Sequence, residues 1–184
     1  MTGKSQHEHL ENLNKVLNQL SQAGLHLRCE KCTFMALEVE YLGHQISCQV
    51  ILPSLSKVEA IVNAPMPQNI SELRAFQGML TYFGNFLPQL STTIEPLHLL
   101  SRKGVVWKWE AAQTRAFKVA KTMLSSWPLL AHYDPSKEFV LSCDSSLYGI
   151  GCALLQTNGT GTLQAVAYAS HLLSDTERRS AQVE

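Results

Sequence analysis

No stretch of the 184 residues approaches the ~18 uninterrupted apolar side chains that a membrane-spanning helix needs. Neither sign of charge is in excess, with Lys plus Arg and Asp plus Glu at 15 each. A nucleic-acid-binding domain normally carries a basic balance, so any such role must rest on a local face. Charged residues are few, 16% against 45% apolar, a ratio that favours a buried core over disorder. The amino-terminal MTGKSQHEHLENL lacks the apolar centre of a signal peptide. Five cysteines, an odd number, read as reduced thiols of an intracellular protein, cytoplasmic or nuclear and not secreted. The NGT at 158–160 therefore reads as a turn rather than a glycosylation acceptor. Internal repeats, low-complexity tracts and a G-x-x-x-x-G-K phosphate loop are all missing. The seven histidines form no i, i+4 pair on a helix, and no serine or cysteine has an evident base beside it.

What is present divides into two kinds of pattern. Leu10, Leu13, Leu17 and Leu20 recur at helical spacing, and Gly24 ends that amphipathic helix. LHLRCEKCTF and VEYLGHQIS read as the two strands of a hairpin. A short helix around 56–63 presents Val58, Ile61 and Val62, with Pro65 and Pro67 stopping it. Asn69 and Glu72 form an Asn version of the capping box, after which Leu73, Phe76, Leu80, Phe83 and Leu87 make one apolar stripe. Ile94, Leu97 and Leu100 mark another short helix, and Phe117, Ala120 and Leu124 a third. Beyond Pro128 and Pro135 the pattern changes to three strand-like segments, 138–144, 149–156 and 164–170, followed by a helix opened by Ser174 or Asp175. The expected fold is α+β, a mostly helical part followed by an antiparallel β-meander and helix, with the boundary near 126–137.

Three groups of residues invite a chemical reading. Arg74, Gly78 and Tyr82 recur every four residues and share a face beside the apolar stripe. Cys29, Cys32, His44 and Cys48 spell C-x2-C…H-x3-C, a spacing that can hold zinc. Against zinc, His44 and Cys48 lie on a strand-like run, where side chains four apart are ~13 Å apart along the backbone; buried thiols are the competing reading. Asp144 sits inside the strand-like FVLSCDSSLYGIGCALLQ, where Asp is disfavoured. It either ends the strand, taking hydrogen bonds from Ser145 and Ser146 in a turn, or is a carboxylate kept for chemistry. Trp107 and Trp109 read as packing anchors rather than a base-stacking platform.

Several blocks occur in a telling order: HLENLNKVLNQLSQAGLHLRCEKCTF, EVEYLGHQIS, SKVEAIVNAPMPQNISELRAFQGMLTYFGNFLP, IEPLHLL, EAAQTRAFKVAKTML, FVLSCDSSLYGIGCALLQ and AVAYASHLLS. Together they resemble the pol polyprotein of gypsy-type long-terminal-repeat retrotransposons, from the end of the reverse-transcriptase palm through thumb and connection into ribonuclease H. The resemblance implies residues 1–64 as palm end and hairpin, 65–128 as thumb and connection helices, and 129–184 as the opening half of a ribonuclease H-like domain. It also implies an RNA–DNA hybrid or primer–template as partner, magnesium as cofactor and no membrane.

By the same resemblance, the helix at 70–87 follows a duplex minor groove through Arg74, Gly78 and Tyr82. The basic pair that family members carry after the aromatic pair is replaced here by Gly84 and Asn85. CDSSLYGIG is similar to the family's T-D-A-S-x-x-G-x-G, which makes Asp144 the first of four metal-holding carboxylates. Glu184 matches the first Glu of a later block whose metal-binding Glu would come two residues on. The sequence holds no adjacent Asp pair of the polymerase kind. The expectation is a chain inactive by itself in both polymerisation and hybrid cleavage. The alternative is a non-enzymatic nucleic-acid-binding or interaction remnant of a retroelement, or a fragment with no partner.

Overall fold

The computed structural model describes residues 3, 5–126 and 128–179. They form two compact units, Met1–Ala36 and Leu37–Glu184. In the first, Ser5 caps helix α1 (Gln6–Gln22) by accepting from the Glu8 amide, and Gly24 leaves it at φ 72°. None of the α1 residues is buried.

LHLRCEKCTF, expected as a strand, is extended chain around a single 3₁₀ turn at Cys29–Lys31. The hairpin lies wholly inside VEYLGHQIS. Its strands are β1 (Glu38–Tyr41) and β2 (His44–Ser47), joined by Leu42 and Gly43 at φ 47° and 70°. Two successive positive φ values match the twist of paired strands, so the turn falls between them and the upstream segment is left without a partner. β3 (Val50–Pro53) continues the sheet, and the two-residue β4 (Leu130–Ala131) closes it in the order β1-β2-β3-β4.

The helices follow their apolar spacing closely. They are α2 (Leu55–Val62), α3 (Ile70–Tyr82), α4 (Leu90–Thr93), α5 (Glu95–Leu100) and α6 (Ala111–Ser125). Asn69 accepts from the Glu72 amide at 2.9 Å and donates to its carboxylate at 2.7 Å, as the cap demands. Leu73, Phe76, Leu80, Phe83 and Leu87 are all buried, in one core with Ile94, Leu97, Phe117, Ala120 and Leu124. Trp107 and Trp109 pack on that core, the Trp109 ring donating to Thr114 at 2.9 Å.

The second sheet is an antiparallel meander, β5 (Phe139–Ser145), β6 (Gly149–Thr157) and β7 (Leu163–Leu172), with a bulge at Leu154/Leu155. One of its faces meets the helices. Ala165 belongs to the core, with Leu155 and Tyr168 packed on it. Gln156, 2% exposed, donates to the His132 carbonyl at 2.6 Å and accepts from the Asp134 amide at 3.1 Å, tying β6 to the chain after β4. The Asn158 side-chain oxygen Oδ1 accepts from the Thr160 and Thr162 amides, so NGT is indeed a turn. The helix expected from Ser174 onward is a 3₁₀ turn, Glu177–Arg179, within the described residues. Ser174 and Glu177 cap it reciprocally, and the Ser174 bonds hold the Glu177 carboxyl below its usual value. Glu184 lies outside the described residues. No described helix is long and apolar enough to cross a membrane.

Candidate functional site

Asp144 does not end its strand. β5 runs on to Ser145, with Asp144 paired to Gly151 of β6. The turn is built by Ser146 instead. Its hydroxyl accepts from the Tyr148 and Gly149 amides at 3.2 and 3.1 Å, and its own amide donates to the Gly149 carbonyl at 2.8 Å. The turn-forming reading of Asp144 is therefore corrected: a serine hydroxyl two residues on performs that task, and the carboxylate is left over.

That carboxylate faces the segment joining α3 to α4. Gln89 Nε2 donates to Asp144 Oδ2 at 3.2 Å. Gln89 reaches it from a left-handed backbone, φ 49° and ψ 32°, a conformation that costs a non-glycine residue of order 1 kcal/mol or more. Glycine makes the approach possible, since a Cβ on Gly151 would lie 2.9 Å from Gln89 Cγ. Next to it, a Cβ on Gly149 would lie 2.7 Å from the His171 carbonyl oxygen and 3.0 Å from Thr92 Oγ1. Gln89, Thr92, Asp144, Ser145, Ser146, Gly149 and Gly151 line a small pocket of about 30 Å³, with room for a water molecule.

Around this point the helical layer is pinned to the meander by polar contacts that the sequence did not announce. The Ser91 amide and hydroxyl meet Ser170 Oγ, each at 3.0 Å. Arg178 pairs with Glu95 at 3.5 Å, donates to the Leu173 carbonyl at 3.1 Å and lies over the Tyr148 ring. Arg102 reaches Asp175 at 3.4 Å. Each joins residues 73 to 83 positions apart or lies beside such a pair, so no local motif could have revealed it.

The Arg74, Gly78 and Tyr82 face exists as spaced, exposed along α3. Arg74 Nη2 donates to the Ser101 carbonyl at 3.0 Å. The Tyr82 hydroxyl donates to the Leu42 carbonyl, and its ring stacks on His44 at 5.5 Å. A Cβ on Gly78 would meet nothing within 4 Å.

The zinc spacing fares differently. The His44 ring lies against Tyr82, Phe83 and Phe86, and Cys32 Sγ donates to the Arg28 carbonyl at 3.3 Å. Cys29 and Cys48 are exposed. Among the described residues no group of three or more His, Cys, Asp or Glu is placed to hold a metal ion. Nor are these thiols buried, as the competing reading expected.

A β-meander with an aspartate near the end of its first strand, packed on a helical layer, defines the class: an α+β, ribonuclease H-like arrangement joined to reverse-transcriptase-type helices. Residues 109–184 match the family described as the RNase H-like domain found in reverse transcriptase. The chain is 34% identical over 171 residues to the Transposon Tf2-3 and Tf2-4 polyproteins of Schizosaccharomyces pombe, covering 93% of this chain and 13% of each polyprotein. It is similar over 97% of its length to the foamy viral protease-reverse transcriptase solved with an RNA/DNA hybrid, at TM-score 0.79 and 26% identity, and spans 24% of that chain. A second structure of that enzyme, with double-stranded DNA, gives 0.81 over 31% of its length. The chain is thus similar to retrotransposon polyproteins over most of its length, and its residues 109–184 match a domain found in reverse transcriptase. It spans about an eighth of the polyproteins it matches.

Proteins of this family generally use a divalent metal. The described residues do not by themselves fit one. Among them Asp144 belongs to no group of three or more carboxylate, histidine or cysteine side chains placed to share an ion, and magnesium needs several oxygen ligands in near-octahedral order.

Proposed function

We propose that the chain serves as the palm end (1–64), the thumb and connection (65–128) and the opening ribonuclease H part (129–184) of an RNA-directed DNA polymerase that also cuts RNA–DNA hybrids. Its partner is a hybrid or primer–template duplex, which meets the Arg74, Gly78 and Tyr82 face. Gly78 carries this reading. A glycine in a helix interior costs about 0.5–1 kcal/mol relative to alanine, and nothing in the fold crowds its Cβ position. Close approach of an external backbone supplies the missing reason, with Arg74 beside it for a phosphate. The duplex-bound foamy viral relatives support the same partner class.

Gly78→Ala is expected to stabilise the protein by about 0.5–1 kcal/mol while weakening hybrid binding in a filter titration. Arg74→Ala is expected to lower the log–log salt slope by about 1. Unchanged affinity in Gly78→Ala, or wild-type binding with no salt dependence, would sink the duplex-facing reading and leave a non-enzymatic interaction remnant.

For catalysis we propose that a polypeptide of these 184 residues neither polymerises nor cleaves. Asp144 is the ribonuclease H-type carboxylate, and what supports the inactivity is its engagement by Gln89 and the lack, among the described residues, of any group of three or more His, Cys, Asp or Glu placed to hold a metal ion. Incubating purified protein with magnesium and a labelled hybrid tests this. Cleavage that Asp144→Asn abolishes overturns it.

A further inference from the structure

On the face of the meander turned away from Gln89, two thiols stand directly across from each other. Cys143 in β5 and Cys152 in β6 are register partners, and directly opposed residues of an antiparallel pair share a face. Asp144 and Gly151 are the next pair along, so they point to the other side.

The turn fixes which kind of pair the cysteines make. Ser146 donates its amide to the Gly149 carbonyl at 2.8 Å, so Ser146 and Gly149 are a hydrogen-bonded pair. Hydrogen-bonded and non-hydrogen-bonded pairs alternate along an antiparallel ladder. The register from Ser145–Ile150 through Asp144–Gly151 to Cys143–Cys152 is unbroken. The cysteines are three steps from the closing pair and therefore occupy a non-hydrogen-bonded site. There the Cα atoms stand about 4.5 Å apart, within the range a disulfide spans. Cys143 is exposed and Cys152 half-buried, so an oxidant reaches the first and the second lies behind it. A side-chain hydrogen bond to Cys143, together with burial, holds the Cys152 thiol above its ordinary value.

We propose that Cys143 and Cys152 form an oxidisable dithiol, a modification site that a peroxide converts to a cross-strand disulfide. The exposed Cys143 sulfur attacks one peroxide oxygen, becoming a sulfenic acid with release of one water (or alcohol). Cys152 then attacks that sulfur; the S–O bond breaks, the S–S bond forms, and a second water leaves with the Cys152 proton. Two thiols and one hydrogen peroxide thus give one disulfide and two waters. Cross-strand bonds at exposed sites are the reducible kind, so a dithiol reductant reverses the step. The bond clamps the hairpin that carries Asp144 and leaves the Asp144 face untouched.

The test uses the full chain, both as wild type and with Cys29→Ser, Cys32→Ser and Cys48→Ser together. None of those three cysteines is buried, so serine is tolerated there. After hydrogen peroxide, the triple variant should lose the mass of two hydrogens as a monomer. Both remaining thiols should resist alkylation until dithiothreitol restores them. In the wild type, cleavage before Asp144 and Asp175 should release a Cys143 fragment still linked to the Cys152 fragment. Persistent alkylation of both thiols in the triple variant overturns the proposal, as does arrest at an oxygenated Cys143 or linkage only between monomers. Wild-type linkage through other cysteines with none between Cys143 and Cys152 overturns it too.

Discussion

Phe83→Ala should remove about 3–5 kcal/mol from the free energy of unfolding, a large share of the ~5–15 kcal/mol that a domain holds. Phe83 is 2% exposed. It follows α3 directly within the apolar stripe, meeting the Tyr82 ring edge-on at 4.9 Å and the His44 ring at 6.0 Å. Its neighbours Leu80 and Leu87 are buried by the same core and cannot close over a phenyl-sized void without moving the helices. The hairpin of β1 and β2 depends on the same cluster through His44, so its protection against hydrogen exchange should fall as well. Urea unfolding of wild type and variant measures the loss, with Val106→Ala, at an 84% exposed position, as the surface control expected within about 0.5 kcal/mol. A loss below about 1 kcal/mol for Phe83→Ala would mean that the packing described around α3 is wrong.

That stripe is also where the sequence was most legible. Asn69, Glu72 and a helical run of large apolar residues agree with one another, and local agreement of cap, propensity and pattern is what makes an element readable. The strands after residue 138 were readable for a similar reason: alternating apolar residues are broken by SSLYG and TNGTGT, whose Ser146 and Asn158 do fold the turns. What escaped was set by distance along the chain. Leu130 and Ala131 become a strand only because Val50 and Ile51 present an edge to them. LHLRCEKCTF has strand-like composition, but a strand needs a partner, and the tight Leu42–Gly43 turn assigned both partners elsewhere. Asp144 could be singled out from its own strand, whereas Gln89, 55 residues earlier, could not. Nothing in QLSTT signals a left-handed residue aimed at a carboxylate.

The joint between helices and meander rests on glycine, which yields the second large effect. Gly149→Ala should cost about 1–3 kcal/mol. Its new methyl would fall 2.7 Å from the His171 carbonyl oxygen, part of a backbone fixed in β7, and 3.0 Å from Thr92 Oγ1 on α4. Neither can yield without opening the β6–β7 pairing or lifting α4 from the sheet. Gly151→Ala should cost less than Gly149→Ala, because its nearest obstacle, 2.9 Å away, is Gln89 Cγ on a flexible side chain. Swinging Gln89 aside relieves the clash but breaks its 3.2 Å bond to Asp144. Gly151→Ala should therefore release the Asp144 carboxylate with a modest stability loss, whereas Gly149→Ala should loosen the whole joint. Thermal unfolding ranks the two costs, and carboxylate NMR shifts of Asp144 report its release. An equal cost at both positions, or an Asp144 signal unmoved in Gly151→Ala, would show that Gln89 does not hold the carboxylate.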